Sequence, residues 1–289
     1  MEAAGIIGLG IMGGAMARNL LAAGWRVVGY DPDPTRAAAA GVEAMASAAD
    51  VARAVPILMT SLPSPAALRA TAEAIAGSGA EQRVIVEAST MTLEDKLAFG
   101  KTLRDAGHVP LDCPLSGTGA QAKTKDLVVY ASGGGGGEIE RLRPFFSGFT
   151  RAVHDLGEYG NGSRMKYVAN LLVAIHNVAT AEAMVLGEKA GLDPKQIVEL
   201  ITSGAGNSRV FELRAPMMAA NRYDDATMKV SIWQKDMAII SAFAAGLGVP
   251  TPLLSATVPI YNSAMSTGHA EDDTAAVCAV LEQMAGIQR

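Results

Sequence analysis

The chain has 289 residues, of which 49% are hydrophobic and 18% charged, a globular rather than a disordered composition with room for two ordinary domains. Its formal net charge of -5 leaves no basic footprint for nucleic acid. Its two cysteines, Cys113 and Cys278, lie far apart in sequence and form neither a disulfide framework nor a metal-ligand spacing, which fits a reducing, cytoplasmic location.

The apolar N-terminus is not expected to be a signal peptide, because Glu2 stands where a basic segment belongs and Arg18 and Asn19 interrupt the run. No uninterrupted apolar run is long enough for a membrane span, so no membrane partner is expected. None of His108, His154, His176 and His269 has a partner at zinc-ligand spacing, and no metal site is expected.

Taken in chain order, the first half alternates short apolar runs with helical stretches. Strands are predicted at Ala3–Ile7, Arg26–Tyr30, Ile57–Thr60, Val84–Glu87, His108–Leu111, Leu127–Ala131 and Ala152–Asp155. Between most of them run predicted helices at Gly13–Ala23, Pro34–Ala40, Ser47–Ala54, Pro65–Ala76, Leu93–Ala106 and Glu138–Phe146. This alternation predicts a mostly parallel sheet covered on both faces, with antiparallel or mixed pairing around Leu111–Ala131. The run Gly133–Gly137 reads as a flexible turn before a helix.

The second half has no convincing strand. One helical pattern without proline runs from Ser163 to Ala190, about 42 Å at 1.5 Å per residue. Gly191 then offers a stop, and Asp193-Pro194 an N-cap followed by proline at the first helical position. Further helices are predicted at Pro194–Thr202, Ser208–Ala215, Lys229–Gly246, Leu253–Ser266 and Asp273–Met284. A division near Gly160–Ser163 thus gives an α/β domain over 1–161 and an all-helical domain over 162–289. The long helix suits an interdomain spine or a subunit interface, and its many alanines permit close packing in either case or in a plain core.

The most informative motif is Gly8-Leu9-Gly10-Ile11-Met12-Gly13, a G-x-G-x-x-G that follows a predicted strand and opens a helix. In a Rossmann-like domain Gly8 permits the tight turn, Gly10 lets a pyrophosphate approach the backbone, and Gly13 lets helix and strand pack closely. The phosphates would meet free N–H groups and the positive end of the helix dipole at Ile11 and Met12. Asp31 follows the second strand about 20 residues on, where an acid accepts from ribose hydroxyls and repels a 2′-phosphate. No arginine follows directly, Arg36 coming five residues later, so NAD is expected rather than NADP. The ordinary alternative for Asp31 is a turn cap before Pro32.

The longer run from Gly8 to Leu20 resembles the N-terminal signature of the β-hydroxyacid dehydrogenases, a family that includes 3-hydroxyisobutyrate dehydrogenases and tartronate semialdehyde reductases. Asp112-Cys113-Pro114-Leu115-Ser116-Gly117-Thr118 is similar to its substrate-binding segment. The run from Gly160 to Asn170 is similar to its catalytic segment, and Lys235-Asp236 to a pair on a late helix. The resemblance spans most of the chain. It implies a Rossmann-like N-terminal domain and an all-α, 6-phosphogluconate dehydrogenase-like C-terminal domain joined by a long helix. It also implies that Leu62, Pro63 and Thr90 line the cofactor cleft and that Ser116, Gly117 and Thr118 hold a substrate carboxylate. Lys166 would be the acid and base, Asn170 its neighbour, and Lys235 a residue reaching the cofactor.

Lys166 and Asn170 are four apart and share one helix face. A free lysine, with a pKa of about 10.4, is a poor base near neutrality. A helix N-terminus, a cationic oxidised nicotinamide and burial would each disfavour its charge. Taken alone, Lys166 is as well explained by a solvated surface lysine, Lys235-Asp236 by a charged helix face, and Ser116-Gly117 by a turn. The family usually has glycine where this chain has Thr118. It has Gly, Gly and Thr at Gln121, Lys125 and Asp126, and an aromatic at Met228. These departures bear on the substrate; Lys123 or Lys125 could meet a second anionic group, but both are better explained as solvated surface lysines. The sequence therefore predicts an NAD-dependent 3-hydroxyacid dehydrogenase or reductase acting on a small carboxylate, as a homodimer or homotetramer. The alternatives are an imine reductase-like enzyme of the same architecture, which usually lacks the lysine at position 166, and a noncatalytic dinucleotide-binding module.

Overall fold

The computed structural model describes residues 2–288, which fall into two compact units, one reaching to Lys166 and the other starting at Tyr167. The first unit is built from β1 (Ala3–Ile7), α1 (Ile11–Ala22), β2 (Arg26–Tyr30), α2 (Thr35–Ala40), β3 (Glu43–Ala44), α3 (Ala48–Ala54), β4 (Ile57–Thr60), α4 (Pro65–Ala76), β5 (Val84–Glu87), α5 (Leu93–Asp105) and β6 (Val109–Asp112). It continues with β7 (Leu115–Ser116), α6 (Gly119–Lys123), β8 (Val128–Gly133), α7 (Glu138–Arg141), α8 (Arg143–Ser147), β9 (Ala152–Asp155) and the start of α9 (Asn161–Lys189).

The strands form one sheet in the order β3-β2-β1-β4-β5-β6-β8-β7, with β9 also on β8. Strands β1 to β6 are parallel, in the doubly wound order 3-2-1-4-5-6. Strand β8 then runs antiparallel to β6 and β7, the mixed pairing the sequence anticipates around Leu111–Ala131. Successive side chains point to opposite faces of a strand, so Ile6 joins the core under α1 and α8 while Ile7 joins the core under α3 to α5. On the first face Phe145 meets Trp25, Phe146 and Phe149 edge to face at 5.2–5.6 Å between ring centroids.

The second unit holds the rest of α9, then α10 (Pro194–Thr202), α11 (Arg209–Ala220), α12 (Val230–Gly246), α13 (Pro252–Ser266), a 3-10 turn at Thr274–Ala276 and α14 (Val277–Met284). Among its described residues there is no strand, only an isolated bridge between Lys229 and Asp273. Its core is stapled by buried polar groups. Asn177 Nδ2 donates to the Tyr261 hydroxyl (2.9 Å) and the Thr274 carbonyl (2.8 Å), and Arg214 pairs with Asp273 at 2.9 Å. By length and composition alone α9 could cross a bilayer, although the sequence offers no uninterrupted apolar run long enough for a span. In the fold it packs as a core helix: Asn170 and Asn177 are buried, and Ala174, Val178, Ala181 and Met184 lie on the same buried side.

Candidate active site

In a parallel sheet the loops after the strands gather on one edge, and the candidate residues of the first unit fall there. Gly8 follows β1 with φ +88°, and a Cβ on it would lie 2.2 Å from the Ser61 carbonyl oxygen. A Cβ on Gly13 would lie 1.9 Å from the Gly8 carbonyl oxygen. The fold itself therefore demands those two glycines. Gly10 is different: a Cβ there would meet only the Arg36 guanidinium, at an ordinary 3.5 Å. Among the described residues nothing else comes within 4 Å of that position, and the N-cap of α1, Gly10 itself, has no side chain to bond its first turn. A glycine kept for close approach from outside, beside open helical N–H groups, fits a dinucleotide pyrophosphate.

Asp31, just past β2, closes this turn. Its Oδ2 accepts from the Leu9 N–H (2.8 Å) and its Oδ1 from the Asp33 N–H (3.0 Å). The cap across Pro32 is thus present, and the same carboxylate also anchors the glycine loop. An ionised carboxylate has about four acceptor sites, so capacity remains for a ribose hydroxyl. Arg36, five residues away in sequence, folds back to 3.5 Å from Asp31 Oδ2.

The loops after β4 and β5 are tied together. Leu62 N–H donates to Ser89 Oγ (2.8 Å), and Ser89 N–H donates to Glu87 Oε1 (2.9 Å), which sets Leu62, Pro63 and Thr90 along one edge. Beyond β6, Asp112 pairs with Ser132 and Ser116 with Val128, so β7 extends past the end of β6 in the same direction. Ser116 therefore sits in a two-residue strand rather than a loop. Gly117 follows with φ +130°, and Thr118 caps α6, its N–H donating to Gln121 Oε1 (3.1 Å).

The start of α9 is fastened to this same edge. Gly162 N–H donates to Ser132 Oγ (3.0 Å), and Ser163 donates to both oxygens of Asp112, from its N–H (2.7 Å) and its hydroxyl (2.8 Å). A Cβ on Gly162 would lie 2.3 Å from the Tyr130 carbonyl oxygen, so only glycine allows this approach. Lys166, three residues after Ser163 on the same helix face, is 8% exposed, not a solvated surface lysine.

In the second unit Asn170 is buried and its Nδ2 donates to Asp236 Oδ2 (3.1 Å). Lys235 lies 3.3 Å from the other oxygen of Asp236. The pair is more than a charged face, because Asp236 fixes which way the Asn170 amide points. Sequence reasoning assigned no role to Asp236, Ser163, Asp112, Glu87 or Lys96. The available signal was a lysine, Lys96, on the apolar stripe shared with Phe99 and Leu103.

Two family models match the chain: the NAD binding domain of 6-phosphogluconate dehydrogenase over residues 3–157, and the NAD-binding domain of NADP-dependent 3-hydroxyisobutyrate dehydrogenase over residues 160–281. An L-threonate dehydrogenase of Cupriavidus necator is 31% identical, with 94% of each chain covered. A 3-hydroxyisobutyrate dehydrogenase structure from Salmonella typhimurium superposes with a TM-score of 0.86 at 30% identity, covering 97% of this chain and 100% of that one. An imine reductase from Bacillus cereus shares the fold alone, with a TM-score of 0.61 at 18% identity over 98% of this chain and 99% of that one. Both family models describe binding of a nicotinamide dinucleotide.

Proposed function

The chain belongs to the β-hydroxyacid dehydrogenase family, and we propose that it moves a hydride between NAD and a small 3-hydroxy acid or its semialdehyde, with Lys166 as general acid and base. The observation that carries this reading is the buried lysine on a helix whose first turn is fastened to the sheet edge bearing the glycine turn.

A bound nicotinamide supplies the hydride acceptor in oxidation and the donor in reduction. The chain supplies the proton chemistry. In oxidation the neutral Nζ of Lys166 accepts the hydroxyl proton as the carbinol carbon gives up hydride; in reduction the ammonium returns a proton to the carbonyl oxygen. Asn170, with its Nδ2 engaged by Asp236, offers Oδ1 to the substrate hydroxyl or to the amine. Ser116 and Thr118 receive the substrate carboxylate through their hydroxyls and Gly117 through its N–H. Gly8, Gly10, Ile11, Met12, Gly13, Asp31, Leu62, Pro63 and Thr90 hold the dinucleotide, with Lys235 also assigned to it. The relatives' names favour small hydroxy acids of the L-threonate and 3-hydroxyisobutyrate type. The lysine at position 166 weighs against an imine reductase.

Asp31 supports NAD, since an acid just past the second strand accepts from ribose hydroxyls and repels a 2′-phosphate. Arg36 beside it favours NADP, as does the match to a model of an NADP-dependent enzyme. Comparing kcat/KM for both cofactors tests the assignment, and NAD should win by at least about tenfold, or about 1.4 kcal/mol. Asp31→Asn should narrow that gap by leaving Arg36 to a phosphate. A wild-type preference for NADP would overturn the assignment. We also propose a homodimer or homotetramer, on the strength of Val168 and Leu172, which stand 54% and 48% exposed on one face of α9. Light scattering should give at least twice the chain mass, and a monomer at micromolar concentration would refute it.

A further inference from the structure

Glu87 and Asp112 end neighbouring parallel strands and are direct register partners. Both are fully buried, and like charges placed opposite each other repel. The helix that connects their strands, α5, sets the Lys96 ammonium between them. Lys96, also fully buried, pairs with Glu87 Oε2 and lies 2.9 Å from Asp112 Oδ1. A buried ionic trio of this kind is poor at adding stability, because apolar side chains of similar volume often do as well or better.

What the trio does is hold two carboxylates in place as acceptors, and each acceptor reaches a loop at the sheet edge. Glu87 receives the Ser89 N–H, and Ser89 in turn receives the Leu62 N–H, which joins the two loops assigned to the cofactor. Asp112 receives the Ser163 N–H and hydroxyl in the first turn of α9, three residues before Lys166. We propose that Glu87, Lys96 and Asp112 form a positioning device that locks the helix turn carrying the Lys166 amine to the loops holding the cofactor. This rests on the reading of Lys166 as acid and base.

Without Lys96 the two opposed carboxylates would repel each other and move off the N–H groups they now hold, which would release those loops. Removing only the Ser163 hydroxyl loosens the same link more gently, because its N–H still reaches Asp112.

The test uses Lys96→Met and Ser163→Ala in the full chain. Hydrogen exchange is read by mass spectrometry without ligand, and NADH binding by fluorescence. Turnover is measured with whichever of 3-hydroxyisobutyrate, L-threonate, glycerate and 4-hydroxybutyrate the wild type uses best, each also deuterated at the carbinol carbon. Exchange over residues 161–166 should speed up at least tenfold in Lys96→Met and severalfold in Ser163→Ala, with α11 to α13 unchanged. The kcat should fall at least tenfold, with a larger isotope effect, while the NADH Kd moves less than threefold. Unchanged exchange and kcat in Ser163→Ala would overturn the proposal, as would a uniform rise in exchange with an unaltered isotope effect. Should Lys96→Met fail to fold, Ser163→Ala decides alone. A wild type that oxidises none of the four acids sinks the acid–base reading, and the exchange measurement still decides whether the trio holds the turn.

Discussion

Lys125 shows how a departure from the family pattern can act on the backbone. It adopts φ +60°, in the left-handed region that costs a side-chain-bearing residue about 1 kcal/mol, and it stands where the family usually has glycine. Lys125→Gly should therefore raise the melting temperature by about 2–4 °C. If the ammonium meets a second anionic group on the substrate, KM should rise in the same variant; if it is merely solvated, KM stays put. An unchanged or lower melting temperature would contradict the strain argument. At this scale the glycine turn and Asp31 were legible because local chain geometry dictates them. Glu87, Lys96 and Asp112 were not, since their meaning depends on strand register, which no local spacing records. Arg36 was read as too distant from Asp31, because two prolines separate them in sequence and the turn that brings it back is made by hydrogen bonds to the Asp31 and Asp33 side chains rather than by a periodic pattern.

Strands β1, β2, β4, β5 and β9 have the bounds that apolar runs predict. The two-residue strands β3 and β7 were invisible because alternation needs more residues to show, and the short α6 likewise. Helix α11 was expected to stop before Pro216 but runs on to Ala220, where burial of Ala215 and Met218 on either side outweighs the lost hydrogen bond. The predicted helix at Glu138–Phe146 is broken into α7 and α8 at Leu142, ahead of Pro144. One junction between elements is sensitive to pH. His108, at the entry to β6, is 5% exposed, and its Nδ1 accepts from the Arg83 N–H (3.2 Å). Burial, with a smaller push from the Arg83 charge, holds its pKa below the ordinary 6.5. The unfolded chain then takes a proton that the folded chain refuses, so the contribution is intact above about pH 6.5 and is lost as pH falls from there toward the folded value. The melting temperature should drop between pH 7.5 and 5.5, and His108→Asn, which keeps an acceptor, should flatten that drop. An identical slope in the variant would remove His108 from the account.

At the scale of the whole molecule, the division into a doubly wound sheet unit and a helical unit was legible from the change of hydrophobic period near position 160. Family membership followed from motifs spread over most of the chain, while those motifs do not name the substrate. The shared architecture also serves imine reduction, so fold alone does not decide the chemistry. In the proposed mechanism the amine of Lys166 does. The most direct measurement is NADH formation by the wild type and by Lys166→Ala across 3-hydroxyisobutyrate, L-threonate, glycerate and 4-hydroxybutyrate, with NADH affinity measured in both. The account predicts turnover of at least one acid by the wild type and a loss in kcat on the order of 10²–10⁴-fold in the variant, with NADH bound equally well. Full turnover by Lys166→Ala would contradict it.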